Sequence, residues 1–156
     1  ADLASYHARE KLRATLATHG RPFDVPVLAA DTVVDLDGAP LGKPSDLADA
    51  ARMLESLSGR EHVVHTAFAL AVPSSATWTE ERSSTRVSFY PLEAGEIAEY
   101  LATGESLDKA GAYGIQGRAA SLVKAIEGDF YTVMGLPLGR LVRTLRVLGF
   151  TLPIAK

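Results

Sequence analysis

The sequence predicts an α/β fold, bordering on α+β, built on a mixed β-sheet. Three observations predict it. Stretches with helical spacing of apolar residues alternate with apolar or β-branched runs of strand length. The 156 residues are 47% hydrophobic and 22% charged, enough for one core of ordinary composition. No internal repeat, low-complexity tract or linker divides the chain, so residues 1–156 are expected to form a single domain.

Each element follows from local chemistry. Residues 3–18 are Ala-rich with interspersed charges, a good helix composition, and His19-Gly20 is the expected stop. Val27 to Leu36 reads as a buried strand, and Asp37-Gly38 as the turn after it. After Pro44, Ser45 is the expected N-cap of a helix with Asp46 and Asp49 in its first turn. Leu47, Ala50, Ala51, Leu54 and Leu57 keep helical spacing until Gly59. His62 to Val72 is a second apolar strand, residues 73–76 (PSSA) a turn, and Trp78 to Tyr90 a strand with one wet face, the two strands forming a hairpin. Glu93 to Thr103 reads as a short helix with Ile97, Tyr100 and Leu101 on one side, and Ser121 to Ile126 as a short strand. The last helix runs from about Pro137 to Leu148, with Leu138, Leu141, Val142, Leu145 and Leu148 inward and Gly149 as its stop.

Composition narrows the function classes. The net charge of −3 speaks against a nucleic-acid polymer as partner, because such binders carry a basic face. A small phosphate ligand needs only a few local cations. With no cysteine, neither a disulfide framework nor a thiolate metal site can form, which fits a reducing cytoplasm. No apolar run reaches the roughly 20 residues of a membrane helix, and no signal peptide is visible, so no membrane partner is expected.

Two stretches carry chemistry. In VPVLAADTVVDLDGAPLGKP, residues 25–44, Asp31 interrupts an apolar strand. A buried carboxylate without a partner costs several kcal/mol, so Asp31 must be hydrogen-bonded, bound to a metal, capping a helix, paired with an arginine, or at an exposed strand end. Lys43 follows Gly42 and precedes Pro44, a loop setting that suits a phosphate, although a solvated lysine is the commoner fate. In SLDKAGAYGIQG, residues 106–117, Gly111, Gly114 and Gly117 recur at steps of three around Lys109, Tyr113 and Gln116. Such glycines free backbone N–H groups to face an anion and let a planar ring approach. Gln116 carries both donors and an acceptor, as a reader of a base edge would. Asp108 is placed to hold Lys109 or to help a metal. The spacing matches neither the dinucleotide fingerprint nor the P-loop.

Other candidates read as structural. His62 and His65, three apart on a strand, point to opposite faces and do not form a zinc pair. Arg140, Arg143 and Arg146 form the solvated face of the last helix, Glu127 ends a strand, and Lys11 is a surface residue unless its helix lines a cleft.

Taken together, AADTVV, LGKP, LSGREHVVHTAFAL, LDKAGAYGIQG and VMGLPLGRLVRTLRVLG resemble the Maf family of nucleoside triphosphate pyrophosphatases, in order and spacing, from about Leu3 to Phe150. The resemblance implies an elongated mixed sheet flanked by helices around a nucleotide cleft, as in inosine triphosphate pyrophosphatases. It implies hydrolysis of a nucleoside triphosphate to the monophosphate and pyrophosphate with a divalent cation, Mg²⁺, Mn²⁺ or Co²⁺, in a cytoplasmic protein with a homodimer as the expected assembly. Asp31 matches the catalytic base, with metal ligation as its other reading. Thr32 and Gln116 match positions tied to substrate choice, and Lys43, Lys109 and Lys11 match lysines near the triphosphate. Gln116 and Lys109 point to the branch acting on dTTP and UTP; the branch acting on 7-methyl-GTP has a glutamate at the first position and lacks the second.

Two departures stand out. The family opens with a strand and an S-x-S-P-R-R loop that grips phosphate, followed by an acidic stretch that helps with metal, and the chain starts after both. Its opening Ala1, without Met, makes a longer natural N-terminus the expectation. Thr132 stands where the family has Asn. A rival reading is a nucleotide-binding regulator of cell division that hydrolyses nothing; a purine-specific pyrophosphatase is a third.

Overall fold

A computed structural model describes residues 2–19, 25–73 and 78–151. The order of elements is α1 (Asp2–His19), β1 (Val27–Leu36), β2 (Ala39–Leu41), α2 (Leu47–Leu57), β3 (Glu61–Ala71), β4 (Trp78–Phe89), α3 (Ala94–Ala102), β5 (Val123–Glu127), α4 (Phe130–Met134) and α5 (Leu138–Val147), with two short 3-10 turns between α3 and β5. The α/β class stands. The sheet order is β2-β1-β3-β4-β5. The mixed sheet is corrected: every pairing among the described residues is antiparallel. The reason lies in the connections. Asp37 and Gly38 both take positive φ, 55° and 85°, and turn β1 tightly into β2. Then α2 brings the chain back to the end of β1 where it turned, so β3 begins opposite Asp35 and runs the other way.

The sheet's two faces are covered differently. On one, the small residues Ala4 and Ala8 of α1 pack on Val33 and Ala67, and Leu12 packs on Ala69 and Ala71. Small side chains on both partners bring that helix close to the sheet. The opposite face is shared by two groups of helices. Toward one end, α2 and α3 cover Val34, Val64, Val87 and Phe89 through Leu54, Leu57, Ile97 and Tyr100. Toward the other, Leu141, Leu145 and Leu148 of the α5 region cover Phe68, Leu70 and Val72. Between these groups, Thr32 and Thr66 sit opposite each other on β1 and β3.

Several local expectations are revised. The N-cap of α2 is Asp46, whose carboxylate accepts from the Asp49 amide at 2.7 Å; Ser45 instead donates its own amide to Asp49. Replacing Asp46 by Ala should cost about 1 kcal/mol, read as a lower midpoint in urea unfolding. In α5, Leu138 is exposed rather than inward, because the helix starts there and its apolar stripe begins at Leu141. Arg140, Arg143 and Arg146 are exposed, as expected of a solvated face. The turn read at residues 73–76 falls largely outside the described residues, as does Gly20. No described helix is long and apolar enough to cross a membrane.

Candidate active site

A cleft of about 340 Å³ opens on β1 and lies within the size range of small-molecule sites. Its walls hold all six residues singled out from the sequence: Lys11, Asp31, Thr32, Lys43, Lys109 and Gln116. Asp31 and Thr32 are consecutive and so face opposite sides of the sheet. They reach one cleft because β2 pairs only with residues 34–36 of β1. The cleft wraps around the uncovered edge, taking Asp31 and Lys11 from the α1 side and Thr32, Val34 and Val64 from the other.

Asp31 is 15% exposed at its side chain, and both carboxylate oxygens are occupied. Lys11 Nζ donates to Oδ1 at 2.6 Å and to the Ala30 carbonyl at 3.2 Å, and His7 Nδ1 lies 3.0 Å from Oδ2. His7 and Lys11 share a face of α1 at a spacing of four. Asp31 thus owes its place in an apolar strand to a cation and an imidazole on the covering helix. Among the described residues it neither caps a helix nor pairs with an arginine. His7 was not singled out from the sequence; its signal was its position one turn before Lys11.

The remaining wall comes from the glycine-rich stretch. Lys109 Nζ donates to Asp108 Oδ1 at 2.6 Å. That hydrogen bond, helped by the fields of Lys109 and Lys43, holds the Asp108 carboxyl below its usual range. Gly111 donates its amide to the Gly42 carbonyl at 3.0 Å, which ties this loop to the one bearing Lys43. Gly111 is required there: it has φ 69°, and a Cβ would sit 3.2 Å from the Val34 side chain. Val133, Met134 and Gly135, at the end of α4, close the cleft and were not anticipated as site residues.

Below the loop, buried His62 bonds through Nε2 to the Tyr113 hydroxyl at 2.7 Å and stacks edge-on with Phe89 and Tyr113. His65, on the opposite face, bonds to Ser84. The two side chains lie on opposite faces of the sheet, as their alternation along the strand predicted. Burial lowers the His62 pKa from 6.5 to about 4. Between these values the unfolded chain binds more protons, so folding stability is full above pH ~6.5 and falls as the pH drops toward about 4. The shift corresponds to at most about 3 kcal/mol. Thermal midpoints taken from pH 7 to pH 4 should fall, and His62→Gln should flatten that fall.

Comparison with known proteins places the chain among relatives. The family profile described as Maf-like protein matches residues 1–148. A Thermus thermophilus protein named dTTP/UTP pyrophosphatase is 53% identical over 124 residues, 80% of this chain and 65% of that one. Proteins of the same name from Bacillus cytotoxicus and Bordetella parapertussis are 47% and 52% identical, over 94% and 83% of this chain and 74% and 62% of theirs. The chain therefore spans roughly two-thirds of the length of these relatives.

Proposed function

Since the chain belongs to the Maf family, we propose that its cleft hydrolyses nucleoside triphosphates, dTTP and UTP above others, to the monophosphate and pyrophosphate. The observation that carries the reading is the convergence of Asp31, Lys11, Lys43, Lys109 and Gln116 on one small cleft. The names of the relatives support the choice of substrate. The chemistry follows from what triphosphate hydrolysis requires: an oriented water, offset of developing charge, and a leaving group held in line. Water attacks the α-phosphorus, its oxygen bonds there, and the bond to the bridging oxygen breaks to release pyrophosphate. Asp31 orients that water and takes its proton, or else holds the metal. Lys43 and Lys109 offset charge on the phosphate oxygens, and Lys11, bonded to Asp31, fixes the carboxylate.

Among the described residues no group of three His, Asp or Glu side chains could hold a metal ion by themselves. The carboxylates on the cleft wall are those of Asp31 and Asp108. One or two carboxylates suit a hard cation such as Mg²⁺ that shares its remaining positions with water and substrate phosphates. Asp31, with Asp108 across the cleft, would hold the ion, which supplies Lewis-acid stabilisation of the phosphate charge. A cytoplasmic setting and a homodimer complete the reading.

The test is release of pyrophosphate, converted to phosphate by added pyrophosphatase and measured with malachite green. Turnover of dTTP or UTP with Mg²⁺ or Mn²⁺ is the expected result. Binding without turnover would favour a nucleotide-sensing regulator, and a preference for ITP or 7-methyl-GTP would refute the pyrimidine assignment.

A further inference from the structure

We propose that Thr66 fixes the direction of the Thr32 hydroxyl, so that the cleft presents a hydrogen-bond acceptor and selects pyrimidines bearing a hydrogen on ring nitrogen N3 over cytosine. The inference rests on the pyrimidine triphosphate reading above and adds the atom that sorts one base from another.

The argument is one of counting protons. Thr66 is fully buried, and its Oγ1 lies 2.6 Å from the Thr132 carbonyl oxygen. A carbonyl only accepts, and a hydroxyl has one proton, so Thr66 donates to Thr132. The other contact of Thr66 Oγ1 is with Thr32 Oγ1, at 2.8 Å. With its own proton committed, Thr66 can only accept there, and Thr32 must donate. The reverse arrangement would set the lone pairs of Thr66 Oγ1 against those of the Thr132 carbonyl at 2.6 Å in a buried place, a repulsion the observed arrangement avoids. Thr32 therefore turns its proton inward, and what it offers the cleft is lone pairs.

The rest of the network holds this direction in place. Thr32 and Thr66 are direct cross-strand partners, and β-branched side chains are stiff at χ1. The Thr132 carbonyl belongs to α4, whose N-cap Asp129 accepts from the Tyr131 amide at 3.2 Å and from the Thr132 hydroxyl at 2.9 Å. Asp129 is itself clamped by Thr85, which accepts from its amide and donates to its carbonyl, both at 2.9 Å. The line from Thr85 to Thr32 thus ends in the cleft. Gly135 keeps that end open: a Cβ at position 135 would lie 3.5 Å from Thr32 Oγ1.

Uracil and thymine carry an N3–H donor flanked by two carbonyls. Cytosine has a lone pair at N3. An acceptor fixed in the wall meets the first and opposes the second. Gln116, which also lines the cleft, has the amide needed for a flanking carbonyl.

The experiment compares kcat/KM for UTP, CTP and 3-methyl-UTP in the intact protein, Thr66→Val and Thr66→Ser. The intact protein should prefer UTP over CTP by about 100-fold, since a site built to pair with a donor rejects the base lacking it. Thr66→Val frees the Thr32 hydroxyl to rotate and donate, so the UTP/CTP ratio should fall to about 10 or below, mainly through a gain for CTP. Thr66→Ser, which keeps the hydroxyl, should restore the ratio. A merely structural role would weaken both substrates together, and an unchanged ratio in the valine variant overturns the inference. Equal turnover of UTP and 3-methyl-UTP by the intact protein overturns it as well, and decides the matter should the valine variant not fold. If the intact protein turns over no pyrimidine triphosphate, the functional reading fails. The same ratios, measured as Kd for the non-hydrolysable α,β-imido analogues of UTP and CTP, then judge the role of Thr66 separately.

Discussion

Replacing Asp31 by Asn is expected to cut pyrophosphate release about 1000-fold or more while leaving the fold in place. The substitution keeps the side chain's shape and one carbonyl-type acceptor, and removes the charge and the basic oxygen. On the proposed mechanism it deprives the water of its proton acceptor, or the metal of its carboxylate. The fold should tolerate it. Lys11 is more than half exposed and retains the Ala30 carbonyl as a partner. Loss of that ion pair is worth at most about 1 kcal/mol. A turnover assay beside a thermal melt separates the two effects. Unchanged pyrophosphate release would remove Asp31 from the mechanism.

Gly128→Ala should be the most destabilising single methyl in the region around the cleft, at about 2–4 kcal/mol. Gly128 has φ 131°, outside what an L side chain adopts readily. A Cβ there would lie 2.6 Å from Thr85 Oγ1 and 3.1 Å from Thr85 Cα. The second contact is backbone in the middle of β4, so the neighbour cannot swing aside. Relief must come from the segment leading to α4, at the expense of the two hydrogen bonds between Thr85 and Asp129. The melting temperature should fall by about 5–15 °C. Gly139→Ala is the control. It lies in α5 with nothing within 4 Å of an added Cβ, and should be neutral or stabilise by up to about 1 kcal/mol. Equal melting temperatures for the two variants would contradict the steric argument.

Much of this architecture was legible in the sequence, for identifiable reasons. The three long strands and the helices with full apolar periods were found close to their observed bounds, because period two and period 3.6 are strong signals over ten residues. Beta-strand Ala39–Leu41 and helix Phe130–Met134 were missed, since three to five residues hold less than one full pattern. The exchange of Ser45 for Asp46 as N-cap is a one-residue ambiguity between two good caps. The direction of β3 was out of reach because it depends on where α2 returns the chain, which no local pattern encodes.

The site was legible where a residue type looked wrong for its surroundings. Asp31 in an apolar strand and Lys109 among glycines both stood out, and both line the cleft. His7 looked ordinary on a charged helix, and its contact with Asp31 arises from packing across 24 positions of chain. Thr66 gave no sign at all, for a buried threonine in a strand is commonplace, and Thr132 stood out only as a departure from the family pattern, with nothing to link it to Thr66. Their part emerges from hydrogen-bond distances alone.

The cleft borrows from nearly every part of the chain: the first helix supplies Lys11, and the turn after α4 supplies Gly135. A newly made polypeptide consequently owns no fraction of this grip until the sheet has closed and its late segments have docked. If the proposed function holds, affinity for nucleotide and global folding are coupled, and a ligand at a hundred times its Kd would deepen the native well by about 2.7 kcal/mol. The abundance of nucleotide in its surroundings would thereby become one of the quantities that set how long the folded chain withstands proteases.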